Sequence, residues 1–240
     1  MVSAARGPQD VRLDALENYL ISMARSVEIS TSRVLGVLSE RNAVEVQQSV
    51  GQIFMLEPRI NEMEMLIDEQ AVRLLRENRL ADMEIRQVVA TLKITNDLER
   101  MGDLAVGLAE RVLSLAEMPA PCEPPELEPM VKAVGAMVTK SLGALTFRNV
   151  ELANQVLESD DLVDSYRDQI FEGLMARIKE QPAQAAPSLQ LVLVSRYLER
   201  LADHATNIAE DIIFWVRGLD VRHGRGREAA VAEAIVAENS

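Results

Sequence analysis

Glu99 and Asp103 stand four residues apart in LERMGD, and Glu199 and Asp203 repeat that spacing in LERLAD one hundred positions later. Residues i and i+4 of a helix project from the same face, so each pair can present two carboxylates to one cation. A second set precedes each pair: Glu57 stands four before Asn61, and Asp160 four before Asp164, at a common offset of 103. Antiparallel helices that set these rows opposite Glu99/Asp103 and Glu199/Asp203 would assemble three or four oxygen ligands per site from rigid elements. Asn207 extends the later row by one more turn, whereas its counterpart, Gly107, offers no side-chain ligand. Carboxylate and amide oxygens suit hard ions such as iron, manganese, magnesium or calcium.

Spacing alone is a weak signal, because 38 acidic residues in 240 positions produce about six i,i+4 acidic pairs by chance, most of them solvated faces. What sets these pairs apart is recurrence at matched places in both halves while neighbouring surface residues drift. Two other readings compete. The carboxylates could pair with the adjacent Arg100 and Arg200 on a metal-free helical scaffold, or they could serve a carboxylate-bridged di-metal oxidase. The oxidase calls for Glu-x-x-His on two core helices, and neither His204 nor His223 has a Glu three residues before it. A phosphate-cradling Gly-rich turn, a G-x-S-x-G elbow and a Cys/His couple are all missing. His204, next to Asp203, reads either as support for a metal ligand or as a helix-surface histidine, and Trp215 as a packing residue.

Composition limits the partners. A formal charge of −13 repels a polyanion, and no Lys/Arg stripe interleaved with aromatics exists, so nucleic-acid binding lacks its driving term. The single cysteine, Cys122, has no partner for an internal disulfide or a shared metal. The N-terminus has no apolar signal region and no run of about 18 apolar residues occurs, which predicts a cytoplasmic protein.

These side chains need helices to hold them. Hydrophobic residues make up 48% of the chain but aromatic ones only 3%, so the core is aliphatic and local preferences favour an all-α fold. MPAPCEPPELEP, residues 118–129, holds five of nine prolines and cannot be helix interior. It divides the chain into a first bundle over 10–117 and a second over 127–218, followed by a loop and tail over 219–240. In the first half the periodicity predicts a long helix through Leu13–Leu38 and a short one from an Asn42 cap to about Phe54. A new helix then opens at Pro58, and a last one carries Ile85–Leu108. The second half repeats the plan, with RNVELANQVLE matching RNAVEVQQSVG. Two three-helix bundles result, each short segment continuing the first helix of its half after a kink.

At these residues the chain closely resembles the PhoU family of phosphate-transport accessory and regulatory proteins. The resemblance runs from about Leu13 to His223 and is most specific at LERMGD, INEMEMLID and YLERLADHATNIAEDIIFWVRG with the following DVRH. It implies two tandem repeated three-helix bundles whose E(D)-x-x-x-D motifs carry multinuclear metal clusters on the bundle surface. Those motifs fall on Glu99/Asp103, Glu199/Asp203 and Asp160/Asp164, while Glu57/Asn61 departs from the strict form. With Gly107, that departure leaves the first-half row poorer in ligands than the second. The resemblance further implies divalent or trivalent metal ions, iron first and manganese, magnesium or zinc after it. It also implies a non-enzymatic homodimer that restrains the phosphate-starvation response. Its partners would be the ATPase component of the phosphate ABC transporter and the sensor histidine kinase of the regulon, with the membrane met only through them.

Overall fold

Aliphatic residues at seven-residue intervals set the architecture. Val46, Ile53, Ile60, Ile67 and Leu74 form one buried stripe along a helix, and Val156, Val163 and Ile170 form its counterpart in the second half. The protein, described by a computed structural model, is resolved into elements over residues 8–39, 43–77, 80–119 and 121–222. Its order is α1 (Pro8–Ser39), α2 (Ala43–Glu77), α3 (Asp82–Ala116), α4 (Leu127–Phe147), α5 (Val150–Leu157), α6 (Asp160–Glu180) and α7 (Ala185–Arg217), with a 3-10 turn at Pro182–Gln184. No strand occurs among the described residues. Helices α1, α2 and α3 pack on one another, as do α4, α5 with α6, and α7. The two repeated three-helix bundles predicted from the sequence are therefore present. Among the described residues no helix is long and apolar enough to cross a membrane.

Two local expectations need correction. Pro58 does not open a new helix; it lies inside the continuous α2. The missing N–H leaves the Phe54 carbonyl without its helical partner, but Phe54 and Pro58 are both exposed, so water can serve that oxygen. The stripe from Ile53 to Ile60 passes through the proline without a change of phase, and its burial holds the helix together. The short segments also do not continue the first helix of each half. The first-half segment is fused to the front of α2. In the second half α4 ends at Arg148, in the left-handed region at φ 49°, and α5 starts afresh, Asn149 Oδ1 accepting from the Leu152 amide at 3.1 Å. Asn42, the matching cap of the first half, lies outside the described residues, as do His223 and the tail beyond it.

The bundles meet chiefly where α3 packs on α7, and also where α1 packs on α4. Ala105, Ala109, Ala205 and Ala209 are all fully buried, and small side chains let the α3 and α7 backbones come close. Gly107 is the tightest point: a Cβ there would stand 2.3 Å from Cε1 of Tyr197. The position that lacks a ligand in the sequence is thus a flat spot that receives an aromatic ring from the other bundle. Buried charges cross the same seam in pairs, as low-dielectric surroundings require. Asp97, 7% exposed, meets His204 Nδ1 at 2.7 Å and accepts from Asn207 Nδ2 at 3.1 Å. Asp211 accepts from Lys93 Nζ at 2.7 Å. At one end Arg148 pairs with Glu17 and lies over the Trp215 ring.

Filling the flat spot tests this seam. Gly107→Leu should lower the urea midpoint by an amount equivalent to about 1–3 kcal/mol, the usual cost of overpacking. Tyr197→Ala in the same chain should recover part of the loss, and an unchanged midpoint for Gly107→Leu would mean that the helices do not approach so closely.

Candidate metal centre

The turn of α3 that buries Leu98 and Met101 necessarily projects Glu99 and Asp103 the other way. Leu198, Leu201 and Ala202 do the same for Glu199 and Asp203 on α7. Across each bundle an antiparallel neighbour supplies the second row, α2 in the first half and α6 in the second.

In the first half Ile60 of α2 packs on Gly102 of α3, where an added Cβ would stand 3.0 Å from Ile60 Cδ1. That contact places the Glu57/Asn61 turn beside the Glu99/Asp103 turn. Asn61 Nδ2 donates to Glu57 Oε1 at 2.6 Å, which leaves Asn61 Oδ1 buried without a hydrogen-bond partner. Glu99 Oε2 is likewise buried and unsatisfied, Arg100 Nε standing 3.4 Å away, too long or oblique for a hydrogen bond. Burial raises the Glu99 carboxyl above its ordinary range, and the neighbouring Asp103 and Glu64 push the same way against Arg100. Glu64 is raised in turn, by burial first and then by Asp68, with Asp103 adding.

Glu64 therefore belongs to this site although the repeat criterion passes over it. INEMEMLID contains Glu64 and Asp68 as an i,i+4 acidic pair, a signal open to inspection. Their counterparts at the offset of 103 are Arg167 and Phe171, so a search for features shared by both halves discards them.

In the second half Asp160, Asp164 and Glu199 lie near enough to Asp203 for their charges to act on it. Partial burial, then the charges of Glu199, Asp160 and Asp164, push the Asp203 carboxyl up to about 6, with His204 opposing. Thr206 Oγ1 donates to Asp160 Oδ1 at 3.3 Å. Arg167 of α6 enters the group, its guanidinium 3.0 Å from Glu199 Oε1, 3.1 Å from Asp168 Oδ1 and 3.6 Å from Asp164 Oδ1. Asn207 is placed elsewhere, its amide on Asp97 at the seam between bundles, and His204 shares that partner.

Among the described residues no three His, Cys, Asp or Glu side chains converge in the manner of a formed metal cage. The donors present nevertheless fit a hard cation. They are all oxygens, two in the first half are buried and unsatisfied, and burial, with like charges adding, holds Glu64, Glu99 and Asp203 above their ordinary range. A cation would satisfy the oxygens and relieve the repulsion together.

Known proteins match this chain in sequence and fold. The model of the PhoU domain matches twice, over residues 20–112 and 127–212. The phosphate-specific transport system accessory protein PhoU homolog of Pseudomonas aeruginosa is 32% identical over 215 residues, covering 89% of this chain and 87% of that protein. The protein of the same description from Deinococcus radiodurans is 31% identical over 206 residues, covering 86% and 95%. The crystal structure of PhoU from Pseudomonas aeruginosa superposes with a TM-score of 0.79 at 30% identity, over 87% of this chain and 99% of that one. That of the phosphate transport system regulatory protein PhoU from Streptococcus pneumoniae gives 0.76 at 25%, over 89% and 99%. With the PhoU domain matched in both bundles and a relative 32% identical along 89% of this chain, the chain belongs to the PhoU family.

Proposed function

We propose that this chain is an accessory protein of phosphate-specific transport that restrains the phosphate-starvation response and carries metal ions on its two carboxylate rows. The observation that supports this most is the match, along 89% and 86% of this chain, to relatives described as accessory proteins of that system. In this reading it works in the cytoplasm as a homodimer, binding the ATPase component of the phosphate ABC transporter and the sensor histidine kinase. It performs no turnover of its own. Signalling then depends on a difference in affinity between states, which a docking surface can supply without any reaction.

Glu57, Asn61, Glu64, Glu99 and Asp103 would hold metal in the first half, and Asp160, Asp164, Glu199 and Asp203 in the second. Bound iron or manganese would supply concentrated positive charge at the surface and cross-link two helices of a bundle. The residues themselves orient oxygens from rigid turns, and Arg100 and Arg167 offset part of the negative charge. Those same arginines favour a second reading, a metal-free scaffold in which the carboxylates are satisfied by ion pairs.

Elemental analysis of protein purified without chelator separates the two. The first reading expects a stoichiometric transition metal that disappears when Glu99, Asp103, Glu199 and Asp203 are all changed to Ala. Metal-free protein from metal-replete cells supports the scaffold. Deleting the protein should derepress phosphate-scavenging genes in phosphate-rich medium, and unchanged transcript levels would count against the regulatory role.

The pH dependence has a definite sign. The folded state holds the Asp203 proton more tightly than the unfolded chain, at about 6 against 3.8, so its ionised form is a cost above pH 6 that fades as the pH falls toward 4. Metal-free Asp203→Asn should melt higher than the parent at neutral pH and show no gain near pH 4. Metal affinity of the parent should fall as the pH drops through 6, because protons compete for the same oxygens.

A further inference from the structure

The offset that matches Glu57 with Asp160 and Asn61 with Asp164 also matches Glu64 with Arg167. One half thus carries an anion, and the other a cation, at the same place on the same face. Glu64 faces Asp103 and Glu99 across the α2–α3 groove, close enough to raise the Glu99 carboxyl. Arg167 reaches across the α6–α7 groove to Glu199.

We infer that Arg167 is a tethered counter-cation of the second-half row, occupying Glu199 so that a hard divalent cation loads the first-half row in preference. This rests on the metal-binding reading above and adds an order of occupancy to it. A metal that recruits Glu199 must first displace a guanidinium that stands 3.0 Å from Glu199 Oε1, the nearest of its carboxylate neighbours, and whose buried Nε makes no hydrogen bond of its own. Only 31% of the Arg167 side chain is exposed, so water compensates poorly for the lost pairs. Arg100 is not an equivalent obstacle in the first half. It springs from the same helix as Glu99 and Asp103, stands 3.4 and 3.7 Å from them, and is half exposed, so it can turn into solvent. The first half also keeps its unsatisfied oxygens on Asn61 and Glu99, and Glu64 makes up for the carboxylate that Asn61 lacks beside Asp164 of the second half.

Manganese titration of full-length, metal-free protein, followed by calorimetry and by electron paramagnetic resonance, tests this. The parent should bind in two phases, the tighter lost in Glu99→Ala/Asp103→Ala and the weaker lost in Glu199→Ala/Asp203→Ala. Arg167→Gln should tighten the weaker phase about tenfold, as removal of one charge at contact distance in a partly buried site implies, and leave the tighter phase unmoved. Arg167→Lys, which keeps the charge, should shift it less, and Glu64→Arg should weaken the tighter phase. Without metal, Arg167→Gln should melt below the parent, and manganese should raise its melting temperature by more than it raises that of the parent. Equal loading of both halves, or an unmoved weaker phase in Arg167→Gln, overturns the order of occupancy alone. Absence of manganese and iron binding in either half overturns both it and the metal-binding reading.

Discussion

Helix α3 is hemmed in by α1, α2 and α7 at once, and the rest of the molecule follows from that confinement. A helix with three neighbours has little circumference left for polar residues, so Glu99, Arg100 and Asp103 are gathered into a narrow strip along the edge of the α2 contact. α7 is confined in the same way by α3, α4, α5 and α6, which concentrates Glu199 and Asp203. The carboxylate rows are therefore a by-product of how the apolar stripes are buried. Their mutual repulsion is tolerated because burial of Leu98, Leu104, Leu198 and Leu201, all at or near zero exposure, outweighs it.

Duplication explains the symmetry of the rows, and divergence explains their chemistry. Leu98 and Leu198, Ala105 and Ala205, and Ala109 and Ala209 are all fully buried, so much of the repetition between halves reflects two copies of one packing solution. Packing confines polar residues to these strips, but it does not require that they be carboxylates. Elsewhere the copies have parted where the two bundles touch. Gly107 accepts the Tyr197 ring, while Asn207 turns its amide to Asp97. Positions 97 and 207 meet, as do 197 and 107, so one contact between duplicated helices is filled by a carboxylate and an amide on one side and by a ring on glycine on the other.

Charge is distributed unevenly for the same reason. Asp97 and Asp211, the buried carboxylates of the seam, are directly paired with His204, Asn207 and Lys93, since an unpaired charge there would be prohibitive. The carboxylates at the edges of the grooves are only partly compensated, which solvent makes bearable. A protein with formal charge −13 thus keeps its uncompensated negative potential where cations and basic partners can reach it.

Helical periodicity, the proline-rich break and the hundred-residue repeat were enough to specify two three-helix bundles, because burial of one stripe per helix is written in local spacing. The same spacing placed Glu99 with Asp103 and Glu199 with Asp203 on common faces, since 3.6 residues per turn leaves no alternative. What spacing could not reveal depends on contacts between helices. The continuity of α2 through Pro58 is decided by the stripe on its opposite side. Glu64 joins a site because α3 lies across from it, Arg167 enters one because α7 does, and Asn207 leaves its row to donate to Asp97 of α3. Each of these is a choice of partner among groups far apart in the chain, and only folding brings those groups within the few ångströms over which hydrogen bonds and ion pairs act.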